Sequence, residues 1–189
     1  MLKKDLRFKY DLLRKEISRD SLLHSSLLIA NKLLQLPIWI GNYYHLYLPI
    51  ATKNEVDTSF TLSILHGKDK NIIVPKVSGA TTLQHILLTD STKLVANSWG
   101  VPEPVEGIEI KPSKIDVVFV PLLAFDTYGN RIGYGKGFYD TFLSNCRKDV
   151  IKVGLSMFTA EDEITDVSDH DIPLDFCVTP EKIYSFSND

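Results

Sequence analysis

Apolar residues near the start of the chain recur at intervals of four, four, three and four, at Leu2, Leu6, Tyr10, Leu13 and Ile17. That spacing keeps one helical face apolar and predicts a first helix. Leu23, Leu27, Ala30 and Leu34 keep the same rhythm, with Ser21 placed to cap a second helix and Pro37 to stop it. Beyond Pro37 the pattern changes to short runs of β-branched and aromatic residues at 43–48, 71–74, 115–120, 150–155 and 176–179, which read as strands. The runs 72–74 and 115–120 scarcely alternate in polarity, as expected of strands covered on both faces. Helical segments at 58–66, ended by Gly67, and at 138–147 lie between the strands, and 83–88 suggests a further, antiparallel strand. The order predicts an α/β fold: one domain over 1–189, a three-layer sandwich with a mostly parallel central sheet flanked by helices.

Four of the runs lead directly into proline, at Pro49, Pro75, Pro121 and Pro180. Proline has no N–H for the ladder, so each is expected to mark a carboxyl end where the chain leaves the sheet. Open α/β sheets bind ligands at those ends. The residues following each proline are therefore the first place to seek chemistry.

Composition narrows the function classes. The chain has 189 residues, 44% hydrophobic and 24% charged, with a formal charge of −3. That is ordinary globular usage, too apolar for disorder and too weakly charged for wholesale nucleic-acid binding. The longest apolar stretch, near 22–40, is interrupted by His24, Asn31, Lys32, Gln35 and Pro37, which argues against a membrane span, and the charged start has no apolar run after it to make a signal peptide. Cys146 and Cys177 lack metal-ligand spacing and read as buried free thiols in a reducing compartment. A cytoplasmic monomer is expected.

The densest chemistry follows Pro121, in the run Gly129-Asn130-Arg131-Ile132-Gly133-Tyr134-Gly135-Lys136-Gly137-Phe138-Tyr139-Asp140. Alternate glycines at 133, 135 and 137 let backbone N–H groups approach an anion, a helix follows, and Arg131 and Lys136 supply cations. Neither the Walker A spacing nor the dinucleotide spacing is met. A phosphate cradle and a plain tight turn both remain open.

On the first helix, Lys3, Arg7 and Arg14 fall within roughly 40° of one another beside the apolar stripe, where long cations overhang a groove edge or simply face solvent. Glu55 precedes the 58–66 helix, which Asp57 or Thr58 can cap, leaving Glu55 available to a ligand. Asp140 opens the last helix, where it would serve as a cap or, with one of the aspartates at 166, 169, 171 and 175, as a Mg²⁺ ligand.

The glycine run, from Phe125-Asp126 through Asp140, resembles the corresponding loop of the 5-formyltetrahydrofolate cyclo-ligase (methenyltetrahydrofolate synthetase) family. The likeness extends to Lys3 with Leu6-Arg7, to Asn54-Glu55-Val56-Asp57-Thr58, to Trp99-Gly100-Val101-Pro102-Glu103-Pro104, and to Asp171 with Asp175. It implies ATP- and Mg²⁺-dependent cyclisation of 5-formyltetrahydrofolate to 5,10-methenyltetrahydrofolate, with ADP and phosphate released through a phosphorylated formyl intermediate that N10 attacks.

The same resemblance implies Lys3, Lys4, Arg7 and 131–139 (Arg131, Ile132, Gly133, Tyr134, Gly135, Lys136, Gly137, Phe138, Tyr139) at ATP. It implies Ile50, Glu55, Trp99 and 134–139 at the folate, Arg131, Lys136 and Asp140 in catalysis, and Asp140 and Asp171 at Mg²⁺. Two positions depart from the family pattern: Leu122, where a glycine is expected, and Thr141, where an arginine is frequent. Another phosphate-handling α/β enzyme would account for the sheet and the loop, but not for the basic first helix.

Overall fold

A computed structural model describing residues 1–186 opens with α1 (Lys3–Lys15) and α2 (Arg19–Leu33). Asp5 in the first turn of α1 and Arg14 and Lys15 in its last complement the helix dipole. The cap of α2 is Ser18, three residues earlier than Ser21; its Oγ accepts from Ser21 N at 3.2 Å. The buried face also differs from the predicted one. Ser26, Ile29, Ala30 and Leu33 face inward, whereas Leu27 and Leu34 are 42% and 47% exposed. Apolar residues surround much of α2, so two helical stripes fit its sequence, and packing against the sheet selects between them.

The strands are β1 (Tyr43–His45), β2 (Asn71–Val77), β3 (Leu83–Leu87), β4 (Leu94–Ala96), β5 (Pro102–Pro104), β6 (Val117–Pro121), β7 (Ala124–Phe125), β8 (Arg131–Ile132), β9 (Ile151–Leu155), β10 (Phe176–Val178) and β11 (Ile183–Ser185). Seven form one sheet in the order β11-β10-β9-β6-β1-β2-β3. Its five inner strands are parallel, and β3 and β11 run antiparallel at the two edges. The 83–88 expectation is thus met. The hairpins β4–β5 and β7–β8 have strands of two or three residues, too short to leave a period in the sequence.

Proline does not end every strand. Pro75 lies within β2, opposite His85 of β3. Leu88 N reaches Ile72 O on the β3 side and Leu46 N reaches Ile73 O on the β1 side, so alternation turns Pro75 toward β1, beyond β1's last residue. No ladder N–H is needed there.

On one face of the sheet, Tyr44, Leu46, Val74, Phe119 and Leu155 pack with Ile29 and Leu33 of α2 and with Leu65 of α3 (Ser59–Gly67). On the other, Ile73, Val118, Val120 and Cys177 pack with Phe142 and Leu143 of α4 (Phe138–Ser144). These faces make the three layers. The apolar stripe of α1 forms a third cluster on the small β7–β8 sheet: Leu6 and Tyr10 pack with Leu123, Ala124, Ile132 and Ile164. Asp126, fully buried, organises that hairpin by accepting from the Tyr128, Asn130 and Ile164 backbone N–H groups at 2.9–3.0 Å.

Two histidines lie beneath α4. His45 and His85 are buried with ring centroids 5.4 Å apart, and His85 stacks on Phe142 at 4.0 Å. Both nitrogens of His45 and Nδ1 of His85 have no hydrogen-bond partner. Burial pushes His85 down to about 4 and His45 well below the ordinary histidine value. Unfolding raises His85 back to about 6.5, so the unfolded chain binds the extra proton between about pH 6.5 and 4, and stability is lost as pH falls through that window. Glu55, whose carboxyl is raised by burial, acts in the opposite direction. His85→Phe should remove part of the acid-side loss. The melting midpoint of the variant should fall less than the parent's between pH 7 and pH 4.5, and parallel curves would show that His85 carries none of the loss.

Candidate active site

The chain passes from β1 to β2 on one side and later returns to β6 on the other, which makes the β1/β6 junction the switch point of the sheet. A cavity of about 510 Å³ opens at that junction, within the usual range for small-molecule sites. Its walls come from the segments after β1 (Tyr47, Leu48, Ile50, Glu55), the ends of β2 and β6 (Pro75, Val77, Pro121), α1 (Lys3, Arg7), the β4–β5 hairpin (Trp99, Val101, Glu103) and the glycine loop from Gly133 to Asp140.

The 54–58 segment is fixed residue by residue. Asn54 adopts a left-handed conformation (φ 44°), which asparagine tolerates better than most residues, and its Nδ2 donates to Arg14 O at 2.7 Å. Val56 is buried in the core. Asp57 Oδ1 accepts from Ser59 N at 2.9 Å at the start of α3, and Thr58 Oγ1 donates to Tyr47 O at 2.8 Å.

Glu55 itself is 5% exposed and is not free. Oε2 accepts from Ile50 N at 2.6 Å and Oε1 from the Tyr134 hydroxyl at 2.9 Å. Burial raises its carboxyl, and the Ile50 N–H, Arg14, Tyr134 and Lys53 pull it back. A ligand reaching Glu55 meets a carboxylate already held in one orientation.

The glycine loop is held by α1. Arg7 Nε donates to Gly133 O at 3.0 Å, and its guanidinium lies against Gly135, where an added Cβ would fall 3.3 Å from Arg7 Cζ. Gly135 also has φ of +88°, so a side chain there would be strained by the backbone and crowded by Arg7. Lys136 Nζ sits 3.5 Å over the ring of Trp99, joining the loop to the β4–β5 hairpin. Among the described residues, neither Arg7 nor Lys136 has a carboxylate within ion-pair distance. Two expected members lie elsewhere. Lys4 is exposed on α1 outside the cavity, because the helix turns it one position away from the Lys3–Arg7 line. Ile132 is 1% exposed and packs under α1, so only its backbone belongs to the loop.

The other cavity cations are paired. Arg131, its side chain 6% exposed, donates NH2 to Asp140 Oδ1 at 2.9 Å and NH1 to Ile172 O. Asp140 thus does not cap α4, whose N-cap Gly137 makes no side-chain bond. Lys3 Nζ pairs with Asp171 Oδ2, which also accepts from Ser168 N at 2.6 Å. These contacts hold the Asp171 carboxyl below its ordinary value against the opposing effect of burial.

Each of these aspartates keeps one oxygen outside these bonds, and both line the cavity. One or two carboxylates beside bound phosphates are donors that suit Mg²⁺. No cluster of three metal-ligating side chains occurs among the described residues, and Asp175 is committed to Lys152 at 2.8 Å.

Residues 2–180 match the 5-formyltetrahydrofolate cyclo-ligase family. The chain belongs to that family. It is 30% identical to a probable 5-formyltetrahydrofolate cyclo-ligase of Schizosaccharomyces pombe, covering 84% of this chain and 85% of the relative. It is 33% identical to the 5-formyltetrahydrofolate cyclo-ligase of Escherichia coli K12 over 72% and 78% of the two chains. Among solved structures, the NMR structure of Aquifex aeolicus 5,10-methenyltetrahydrofolate synthetase superposes with a TM-score of 0.85 at 31% identity, covering 100% of this chain and 95% of that one.

Within the family frame, Leu122 is accommodated by Gly154 of β9. A Cβ on Gly154 would lie 2.6 Å from Leu122 Cδ2. Thr141 lies outside the cavity lining and bonds within the α4 region through its carbonyl.

The buried Arg131 makes Asp140→Asn a stability variant as well as a candidate activity variant. Asn keeps an acceptor for Arg131 but removes the charge, a loss of about 1–2 kcal/mol, or roughly 2–8 °C in a chain of this size. Differential scanning calorimetry checks it, and an unchanged midpoint would mean that the Arg131–Asp140 pair adds nothing to stability.

Proposed function

We propose that this chain, as one domain over 1–189, converts 5-formyltetrahydrofolate to 5,10-methenyltetrahydrofolate at the expense of ATP, releasing ADP and phosphate. The observation that carries this reading is the single cavity in which cations of α1 and the glycine loop face the Glu55 segment. One half suits a phosphate chain and the other a polar heterocycle beside an apolar wall at Ile50 and Leu48.

The chemistry asks for positioning rather than for an enzyme nucleophile. The formyl oxygen is a poor leaving group, and its phosphorylation yields an iminium phosphate that N10 attacks before phosphate departs. Phosphoryl transfer is aided chiefly by in-line alignment and charge neutralisation. Arg7 and Lys136, unpaired with carboxylates, and the N–H groups around Gly135 are placed to receive phosphate oxygens; Arg131 and Lys3, already paired, hold the aspartates in place. Bound Mg²⁺ at Asp140 and Asp171 would neutralise charge on the phosphates. Glu55, held by Ile50 N and Tyr134, orients the pterin side of the folate. Trp99 and Phe138 supply aromatic surface at the cavity mouth.

Mixing the protein with 5-formyltetrahydrofolate, ATP and Mg²⁺ and following methenyl-folate absorbance tests the reading, and absence of ATP-dependent product would reject it. Removing Mg²⁺ with a chelator should abolish turnover, and full activity in the chelator would remove the metal from the reading. Arg7→Ala should weaken ATP binding roughly 10- to 150-fold, the loss of a charge-assisted hydrogen bond of about 1.5–3 kcal/mol. Lys3→Ala should weaken it less, because Lys3 must share its charge with Asp171. Calorimetric titration orders the two, and equal affinity in both variants and the parent would make α1 a scaffold only.

A further inference from the structure

Besides Lys3 and Arg7, the first helix sends inward a further cation, Arg14, that reaches neither solvent nor any carboxylate. It is 5% exposed, and among the described residues no acidic group lies within ion-pair distance of it. A buried guanidinium in such a place is costly unless its charge is answered. Its NH2 donates to Leu122 O, just past β6, and its NH1 donates to the Tyr134 hydroxyl at 3.1 Å, while Nε has no partner. Guanidinium is a donor only, so the Tyr134 oxygen must accept from it and the Tyr134 proton must point elsewhere. The acceptor in range is Glu55 Oε1, at 2.9 Å. Glu55 Oε2 already accepts from Ile50 N. Both oxygens therefore accept, Oε2 from a backbone N–H and Oε1 from a hydroxyl whose own oxygen is claimed by Arg14, and both bonds favour the charged carboxylate.

We infer that Arg14 is a positioning residue: acting through the Tyr134 hydroxyl, it fixes the Glu55 carboxylate and ties the glycine loop to the segment after β1. The bridge runs from α1 through the glycine loop to the Glu55 loop, so the two halves of the cavity share one hydrogen-bonded strut. Asn54, which accepts no part in the strut but holds the Arg14 carbonyl, fastens the same two elements from behind. The inference rests on the proposed reaction only for its effect on turnover; the orientation of Glu55 stands apart from it. The groups facing Glu55 are Arg14 from α1, Lys53 from its own loop, Tyr47 from the end of β1, Tyr134 from the glycine loop and Tyr139 from α4.

The test follows the Glu55 carboxyl by NMR in full-length protein labelled with ¹³C at glutamate carboxyl carbons, its signal assigned by loss in Glu55→Gln. Arg14→Met, which removes the charge and keeps the length, should raise the Glu55 titration midpoint by about one unit or more. Arg14→Lys, which restores a cation, should bring it back toward the parent. Turnover of 5-formyltetrahydrofolate by Arg14→Met should fall about tenfold for each unit when measured below the new midpoint, while ATP affinity stays within about threefold.

An unmoved midpoint in folded Arg14→Met overturns the inference. If Arg14→Met fails to fold, Tyr134→Phe breaks the same strut at its centre and must raise the midpoint, and no shift there overturns it equally. A parent protein that does not turn over the formyl-folate rejects the proposed reaction, and the carboxyl titration still decides the role of Arg14.

Discussion

The docking of α1 onto the β7–β8 hairpin is the contact on which the cavity depends. The helix lies on that small hairpin, and its apolar face, Leu6 and Tyr10, packs with Leu123, Ala124, Ile132 and Ile164, with Phe158 edge-on against Tyr10. That packing carries three basic side chains to the glycine loop: Lys3 to Asp171, Arg7 to Gly133 O, and Arg14 to Tyr134 and Leu122 O. The chain start is bound in the same region, with the Met1 ammonium donating to Glu163 O at 2.7 Å and Lys3 N to Asp166 Oδ1 at 2.7 Å. The strand ends, the segment after β1, the β4–β5 hairpin and the glycine loop form the rest of the cavity; α1 closes one side of it and brings Lys3 and Arg7 to its lining.

Charge in the cavity is divided between groups that are spent and groups that are available. Arg131 and Lys3 neutralise Asp140 and Asp171, and Arg14 faces Glu55 through a hydroxyl. Arg7 and Lys136 rest on a carbonyl and an aromatic ring, partners that a phosphate oxygen outcompetes. An anion entering the cavity can therefore gain two cations without breaking the pairs that hold the wall together.

Much of this was legible in the sequence, for identifiable reasons. The non-alternating runs at 72–74 and 115–120 report strands buried on both faces, and the switch point at the carboxyl ends follows from the α/β order. The glycine spacing and the flanking cations located the loop. The face of α2 was misread because its apolar residues encircle the helix, and β4, β5, β7 and β8 left no period because they are two or three residues long. Asp140 next to a helix start suggested a cap, since its true partner, Arg131, lies nine residues away and is brought near only by the turn of the loop. Glu55 was expected to be free because nothing local in sequence announces Tyr134, 79 positions later, as its donor. Arg14 was visible as a member of the basic stripe, but its burial was not, since a stripe at the border of a helix face reads equally as a solvated edge.

The chain has two tryptophans, and the fold separates them. Trp99 is 48% exposed at the cavity mouth beneath the Lys136 ammonium, whereas Trp39 stacks on Tyr44 against the opposite layer and donates its indole N–H to Leu33 O at 3.1 Å. Any anion that draws Lys136 from the ring changes the surroundings of one indole and leaves the other as it was. The protein thereby carries an intrinsic optical reporter with its own internal standard: emission from Trp99 follows occupancy of the mouth, emission from Trp39 follows the integrity of the far layer, and replacing either with phenylalanine separates the two signals.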